Sequence, residues 1–327
     1  MPSTLPVTPA DIQSAAVRLA GRVWRTPVER SPALSERTGA DVWLKCECFQ
    51  ATGSFKLRGA LNRLLTLDAG ALARGVVTAS AGNHGLGVAE AAARLGARAT
   101  VVVPETASAT KVHALRQYEG RGVELLLAGA DYDAAEAHAL DLARTTGRPF
   151  VSAYNDPAVI AGGGTTALEA LEDVPGVDAI VVPAGGGGLI GGVGVWAKHA
   201  RPSIRVLGAQ SDASPALHAA LAAGRLVTVP VGESLADGLA GNIEASSITF
   251  PLAQAVVDEV VLVSEDEIAA AMRWLAAAHH VLAEGSAATT VAALLGERVA
   301  DLAGRRVVLL LTGRNVTYET LRTVLVA

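Results

Sequence analysis

The sequence predicts an α/β protein in which two parallel sheets meet at a ligand-binding cleft. Three observations carry this expectation. Short β-rich runs alternate with alanine-rich helical runs nearly throughout, the strand runs hold few polar positions, and glycine-containing loops recur just after strands and just before helices. The 327 residues, half of them hydrophobic and 4% aromatic, suffice for a large core built mainly from Ala, Val and Leu.

Taken in order, "MPSTLPVTPADIQSAAVRLAG" reads as a helix capped by Thr8, with Pro9 at the first position and Asp11 closing a capping box. It lacks the basic start and apolar core of an export signal, so a cytoplasmic protein is expected. Cys46 and Cys48 are expected to alternate along a strand and to face opposite sides of it. Such a pair suits neither a disulfide nor a four-ligand zinc site.

Four strand runs follow, "GVVTAS" (75–80), "RATVVV" (98–103), "GVELLLAG" (122–129) and "PFVSAY" (149–154), with helices between them. A second set comprises "DAIVVPA" (178–184), "IRVLGAQ" (204–210), "EVVLVS" (259–264) and "RRVVLLLTG" (305–313), and a helix beginning near Ser264 carries the capping box "SEDE". The expected division is a large domain of residues 1–73 and 155–327 with residues 74–154 inserted as a smaller α/β domain.

Composition excludes some partners. Net charge is −5 and no basic run is interleaved with aromatics, so nucleic acid is not expected. Residues 179–197 carry no charge and nearly reach bilayer length, but Pro183 and four consecutive glycines would break such a helix; a strand, a turn and a helix explain the same letters without a membrane.

The chemistry begins at "QATGSFKLRGA" (50–60), where Ser54 is expected to cap a helix and Lys56 falls in its first turn. Unpaired N–H groups there disfavour an ammonium and favour the neutral amine. Three loops lie where open α/β sheets bind ligands. "SAGNHG" brings Ser80, Asn83 and His84 to a helix start, a setting for a carboxylate, although an ordinary Gly-Asn turn has the same letters. Gly185, Gly186, Gly187 and Gly188 let the backbone approach a phosphate. No P-loop lysine follows them, and no acidic residue is placed for a ribose. The third loop, "LLLTGRN", ends an apolar strand in the neutral hydroxyl of Thr312.

A neutral-leaning lysine, a phosphate cup, an anion pocket and a neutral polar group in one cleft fit pyridoxal phosphate. "KCECFQATGSFKLRGA", "TASAGNHGLGVA", "DPAVIAGGGTTALE", "VPAGGGGLIGG" and "TGRN", in order from about Arg25 to Asn315, resemble the threonine/serine dehydratase group, which includes serine racemase. The resemblance implies fold type II, the tryptophan synthase β-like fold, with the cofactor between the domains, a homodimer, and β-elimination from a small L-β-hydroxy amino acid. It implies that Lys56 holds the cofactor as a Schiff base and shuttles the Cα proton. Asn83 would hydrogen-bond the ring hydroxyl, Gly185 to Gly188 with the Leu189 amide would bind the phosphate, and Phe55 and Gly238 would lie against the ring. Ser80, Asn83 and His84 would take the substrate carboxylate, and Thr312 would face the pyridine nitrogen.

Departures from the family pattern sharpen this. Ala81 stands where racemases of the group carry a second serine, so an L-selective eliminase is expected. Gln210, Ser214 and Ala216 stand where some relatives bind a cation, and Asp212 alone is a poor substitute, so no metal is expected. Arg314 replaces a usual glycine and is expected to be solvated or salt-bridged. Glu284, in "AEGSAATT", is read either as a charge opening a helix or as a group that supports the site from behind, the former being favoured. No counterpart of the regulatory domain of biosynthetic threonine dehydratases is expected after "TGRN", nor isoleucine feedback through one. Two other readings stay open: a related enzyme performing β-replacement, racemisation or elimination from a bulkier hydroxy amino acid, and a nucleotide-binding module without chemistry.

Overall fold

The computed structural model describes residues 5–326. Its strands are β1 (Val28–Arg30), β2 (Asp41–Lys45), β3 (Val76–Ala79), β4 (Ala99–Val103), β5 (Val123–Leu127), β6 (Ala179–Pro183), β7 (Arg205–Ser211), β8 (Glu259–Val263) and β9 (Arg306–Leu310). The first helices are α1 (Pro9–Leu19), α2 (Pro32–Thr38), α3 (Lys56–Leu65), α4 (Ala69–Arg74), α5 (Asn83–Leu95), α6 (Ala109–Arg116) and α7 (Tyr132–Thr146). The rest are α8 (Pro157–Asp173), α9 (Gly188–Ala200), α10 (Ala216–Ala223), α11 (Thr249–Val256), α12 (Glu265–Trp274), α13 (Gly285–Leu295) and α14 (Tyr318–Val326).

Two sheets form, one of six strands in the order β1-β2-β9-β6-β7-β8 and one of three in the order β3-β4-β5. All pairings are parallel except β1 with β2, so the larger sheet is mixed rather than purely parallel. The exception is a three-residue edge strand whose Glu29 and Arg30 are exposed, a common way to end a sheet without inviting another chain.

Alternation along the strands sorts the core. Val307 and Leu309 of β9 face α2, α12 and α13 through Leu34, Ile268, Ala287 and Val291, whereas Val308 and Leu310 face α8 and α9 through Ala170, Ile190 and Val193. In the smaller sheet Val76, Val101 and Val123 pack on α5, and Val77, Ala79 and Val102 pack on α7.

Capping explains several boundaries. Thr8 and Asp11 form the expected box at α1, and Ser264 and Glu267 form the one at α12. Other expectations are corrected. "PFVSAY" is no strand; it makes a single parallel bridge, Val77 with Phe150, because side chains rather than a ladder hold the carbonyls of Val151 and Ala153. Cys46 and Cys48 do not alternate along a strand either, since β2 ends at Lys45 and Cys48 lies in a short 3₁₀ turn, Glu47–Phe49. Both thiols are free and buried in one core, and the neighbouring Cys48 thiol, with burial, raises the Cys46 pKa. Among the described residues no helix is long and apolar enough to cross a membrane, and 179–197 form β6, the glycine turn and most of α9.

The placement of α3 decides where the site lies. The chain reaches it directly from β2 of the larger sheet, yet Leu57, Leu61 and Leu64 are buried in the core of the smaller one. A Cβ at Gly59 would sit 2.8 Å from the Val159 carbonyl on α8, and one at Gly87 on α5 would sit 3.1 Å from the Lys56 carbonyl, so α3 is wedged between the two lobes. Arg58, fully buried on that helix, donates to both oxygens of Glu47 at 2.8 Å and to Glu169 at 2.7 and 2.8 Å, and Lys45 adds a 2.6 Å contact to Glu169. A buried network of two cations and two carboxylates therefore fixes the helix turn that carries Lys56, each charge being matched.

Candidate active site

In the larger sheet the chain order reverses between β6 and β9, and crevices open at such points beyond the strand C-termini. Three loops converge there. After β9, Thr312 O accepts from the Phe55 N–H at 3.0 Å and Ser54 bridges Gly313, so "TGRN" and "GSFK" run side by side. Ser54 does not cap α3. Phe55 is the N-cap residue, without a side-chain bond, and the Ser54 hydroxyl is buried with no partner. Lys56 nevertheless occupies the first helical position, as expected.

The Lys56 Nζ donates to Ala153 O at 2.8 Å and lies 5.2 Å from the centre of the Phe55 ring. Burial pushes its pKa down to about 8, against the opposing pull of Glu284. That shift has the sign expected for an amine that must act as a nucleophile.

After β6 the four glycines form a cup whose shape permits no side chains. A Cβ at Gly186 would come within 2.7 Å of the Tyr154 ring, one at Gly188 within 2.8 Å of Tyr154 O, and one at Gly185 within 3.0 Å of Leu239. Gly187 has φ +86, the left-handed region that favours glycine. The first helical bond of α9 runs from Gly191 N–H to Gly187 O, leaving the N–H groups of Gly188, Leu189 and Ile190 free of helical partners at its positive end. Thr249 Oγ1 donates to Gly186 O at 2.6 Å and engages that carbonyl, a role that sequence reasoning missed.

The loop after β3 is wired differently. The N–H groups of Asn83, His84 and Gly85 precede the first bond of α5, Leu86 N–H to Gly82 O. Ser80 Oγ accepts from Gly82 N–H at 3.2 Å. Asn83 Nδ2 donates to Glu284 at 2.8 Å, and Asn83 Oδ1 accepts from Asn315 Nδ2 at 2.6 Å, so one amide N–H of Asn83 is left for a ligand.

The His84 imidazole, which the loop reading offered to an anion, has one nitrogen engaged by the chain itself. It is buried with Nε2 3.0 Å from Val151 O, and burial, with the nearby Lys56 charge, lowers its pKa to about 3. A neutral ring tied to a carbonyl cannot be a cationic anchor, so its backbone N–H is what this residue offers at the helix start.

Glu284 is the main residue that sequence reasoning misplaced. It precedes α13, but its side chain makes no cap bond there. Its carboxylate instead accepts from Asn83 of the smaller lobe and from the Asn315 N–H at 3.1 Å. Burial pushes its pKa up to about 7, against the Asn83 bond. Gly313 permits the approach, since a Cβ there would lie 2.3 Å from the Glu284 carboxylate. The signal available was a lone carboxylate inside an otherwise apolar "VLAEGSAATT".

Gly238 sits in a 3₁₀ turn, Asp237–Leu239, and a Cβ on it would lie 2.9 Å from Ser286 Oγ, which is buried and unpartnered. Arg314 is exposed and stacks 5.5 Å from the Phe49 ring, in line with the solvated reading. Gln210 and Ser214 are engaged elsewhere, accepting from the His218 and Gly241 N–H groups at 3.0 Å each.

The family model for pyridoxal-phosphate dependent enzymes matches residues 19–313. The chain belongs to this family. It is 44% identical over 313 residues to an L-threonine ammonia-lyase of Geobacter sulfurreducens, covering 96% of this chain and 77% of that one. It is 40% identical over 313 residues to the catabolic L-threonine dehydratase of Escherichia coli K12, covering 95% and 94%. The solved structure of maize serine racemase superposes with a TM-score of 0.91 at 35% identity over 97% of this chain and 96% of that one. The fold is fold type II, and pyridoxal phosphate is the cofactor.

The residues present fit this family's cofactor. The glycine turn leaves the N–H groups of Gly188, Leu189 and Ile190 without helical partners at a helix N-terminus, which suits a phosphate. The amine beside it is biased toward neutrality. Ser54 Oγ, Ser286 Oγ and His84 Nδ1 are buried polar atoms without protein partners, as a polar ligand site requires.

Proposed function

We propose that this chain is an ammonia-lyase that eliminates water from a small L-β-hydroxy amino acid, L-threonine or L-serine, to give an enamine that takes water back and hydrolyses to a 2-oxo acid and ammonia. The proposal includes a cytoplasmic homodimer, in keeping with the family resemblance, and a smaller lobe of residues 74–154 that shares α3 with the rest. The observation that carries the reading is the placement of Lys56: its amine donates to Ala153 O, the next residue, Tyr154, packs on the glycine turn after β6, and the neighbouring Phe55 N–H binds Thr312 O after β9. The names of the Geobacter and Escherichia relatives support L-threonine as the substrate.

Bound pyridoxal phosphate supplies an aldehyde for an amine and an electron-withdrawing ring that acidifies the Cα–H of an attached amino acid. The chain's residues do the rest. Lys56, its pKa lowered by burial, offers its nitrogen to the aldehyde and later carries the Cα proton at Nζ. Gly185 to Gly188 and the Leu189 N–H would hold the phosphate, while Phe55 and Gly238 would flank the ring. Asn83 would give its remaining N–H to the ring hydroxyl. Ser80 and the N–H groups of Asn83 and His84 take the substrate carboxylate.

Thr312 would offer a neutral hydroxyl to the pyridine nitrogen. With such a partner the nitrogen would stay unprotonated and the bound group would supply a weaker electron sink, which suits early loss of the β-hydroxyl. With Ala81 opposite Lys56 in role, no second proton carrier serves the other substrate face, so inversion at Cα is slow.

The test is turnover of cofactor-saturated enzyme on a panel of L- and D-β-hydroxy amino acids. Release of 2-oxobutanoate and ammonia from L-threonine, with D-serine formation far slower than elimination, is expected. Absence of 2-oxo acid from every L-isomer would overturn the assignment.

A further inference from the structure

The segment that receives the Lys56 amine is anchored in an unusual way. It leaves the smaller sheet after one bridge, with Val77 N–H donating to Pro149 O at 2.9 Å and Val151 N–H to Val77 O at 2.8 Å. Side chains then replace the ladder. Val151 O accepts from Thr78 Oγ1 at 2.8 Å and lies 3.0 Å from His84 Nε2. Two residues later, Ala153 O accepts from Lys56 Nζ at 2.8 Å.

We propose that His84 is a positioning residue for Lys56: its Nε2–H fixes the Val151 carbonyl and, through it, the Ala153 carbonyl that holds the lysine amine whenever that amine is not bonded to the cofactor. The partner dictates the tautomer. A carbonyl oxygen only accepts, so the proton sits on Nε2, and Nδ1 is left as a buried acceptor without a protein partner. The neutral ring agrees with its lowered pKa, to which burial and the facing Lys56 charge contribute. The helix bearing His84 also touches the lysine directly, since a Cβ at Gly87 would lie 3.1 Å from the Lys56 carbonyl. His84 thus couples the helix start of the smaller lobe to the resting place of the amine. The inference rests on the reading of Lys56 as the reacting amine.

The test compares His84→Gln with His84→Phe in cofactor-saturated enzyme. The glutamine amide reaches about as far as Nε2 and keeps a donor for Val151 O; phenylalanine keeps the volume and loses the donor. His84→Gln is expected to retain kcat within about threefold, whereas His84→Phe lowers kcat by about 10- to 100-fold and displaces the pH–rate profile, with KM little changed. Nitrogen NMR of the wild-type histidine should show a neutral Nε2–H ring from pH 5 to 8, and this holds as a readout if His84→Phe does not fold. Equal losses of kcat in both variants, or a rise in amino-acid KM in both with kcat unchanged, would overturn the proposal in favour of a packing or a carboxylate-binding role. So would a ring that protonates near its ordinary pKa of about 6.5. An inactive wild-type enzyme whose histidine is the neutral Nε2–H tautomer would count against the proposed function and leave the His84 contact standing.

Discussion

The turns after β6 and β3 both lead from a strand into a helix, yet they are built from different material. The first is backbone. Its four glycines exclude side chains, and their neighbours, Tyr154, Leu239 and Thr249, pack against it from outside. The second is held by partners far away in sequence: Asn83 by Glu284 and Asn315, and the His84 ring by Val151. A backbone cup is set by its own residues, whereas a side-chain loop depends on closure of the two lobes. Damage to the first should therefore cost cofactor affinity, and damage to the second should alter the pH response.

The reacting lysine sets the upper limit of any effect. Lys56→Ala should lower kcat by about 10³-fold or more, because nucleophile and proton carrier are lost together, while the fold by circular dichroism stays intact. Gly186→Ala comes next. Its Cβ would meet the Tyr154 ring at 2.7 Å, and relieving the overlap costs about 1–3 kcal/mol, so pyridoxal phosphate affinity by fluorescence titration should fall by about tenfold or more. The corresponding change at Asn83 should spare the phosphate and weaken activity instead.

Glu284 sharpens the comparison through pH. Its folded pKa of about 7 lies above that of an unfolded glutamate, so the native state holds the extra proton between the two values. Any stability that this protonated carboxyl contributes is present at low pH and lost as pH rises through about 7. Glu284→Gln should remove that decline in thermal stability between pH 5 and 8, and it should also raise the pKa of Lys56 less than the carboxylate does. An unchanged stability profile would show that the carboxylate is not buried as the structure has it.

The smallest effect belongs at the mouth of the cleft. Lys111 of the smaller lobe pairs with Asp237, beside Gly238 in the larger one, at 2.7 Å, but the side chains are 34% and 61% exposed. Such a pair contributes about 0.2–1 kcal/mol at most and is screened by salt. Lys111→Ala should shift KM by less than about threefold, and the difference should vanish at high ionic strength.

Much of the fold was legible because the letters themselves impose it. "VVLLL" alternates between two cores, Thr8 and Ser264 cap their helices through residues three positions on, and "GGGG" after "IVVPA" marks the turn from a strand into a helix. Errors arose where distant contacts decide. "PFVSAY" has strand composition but is held by Thr78 and His84, and Ser54 has cap chemistry but lies buried against "TGRN". Glu284 looked like a helix-opening charge because its partners are 201 and 31 residues away. His84 looked like an anion ligand because nothing local reveals that a carbonyl 67 residues on takes its ring nitrogen.

The central claim is the identity of the amine. Borohydride reduction of cofactor-saturated protein, followed by proteolysis and mass spectrometry, should place a pyridoxyl group on Lys56 and lead to loss of the visible absorbance. A pyridoxyl group on any other lysine, or none on the peptide containing Phe55 and Lys56, would contradict the account.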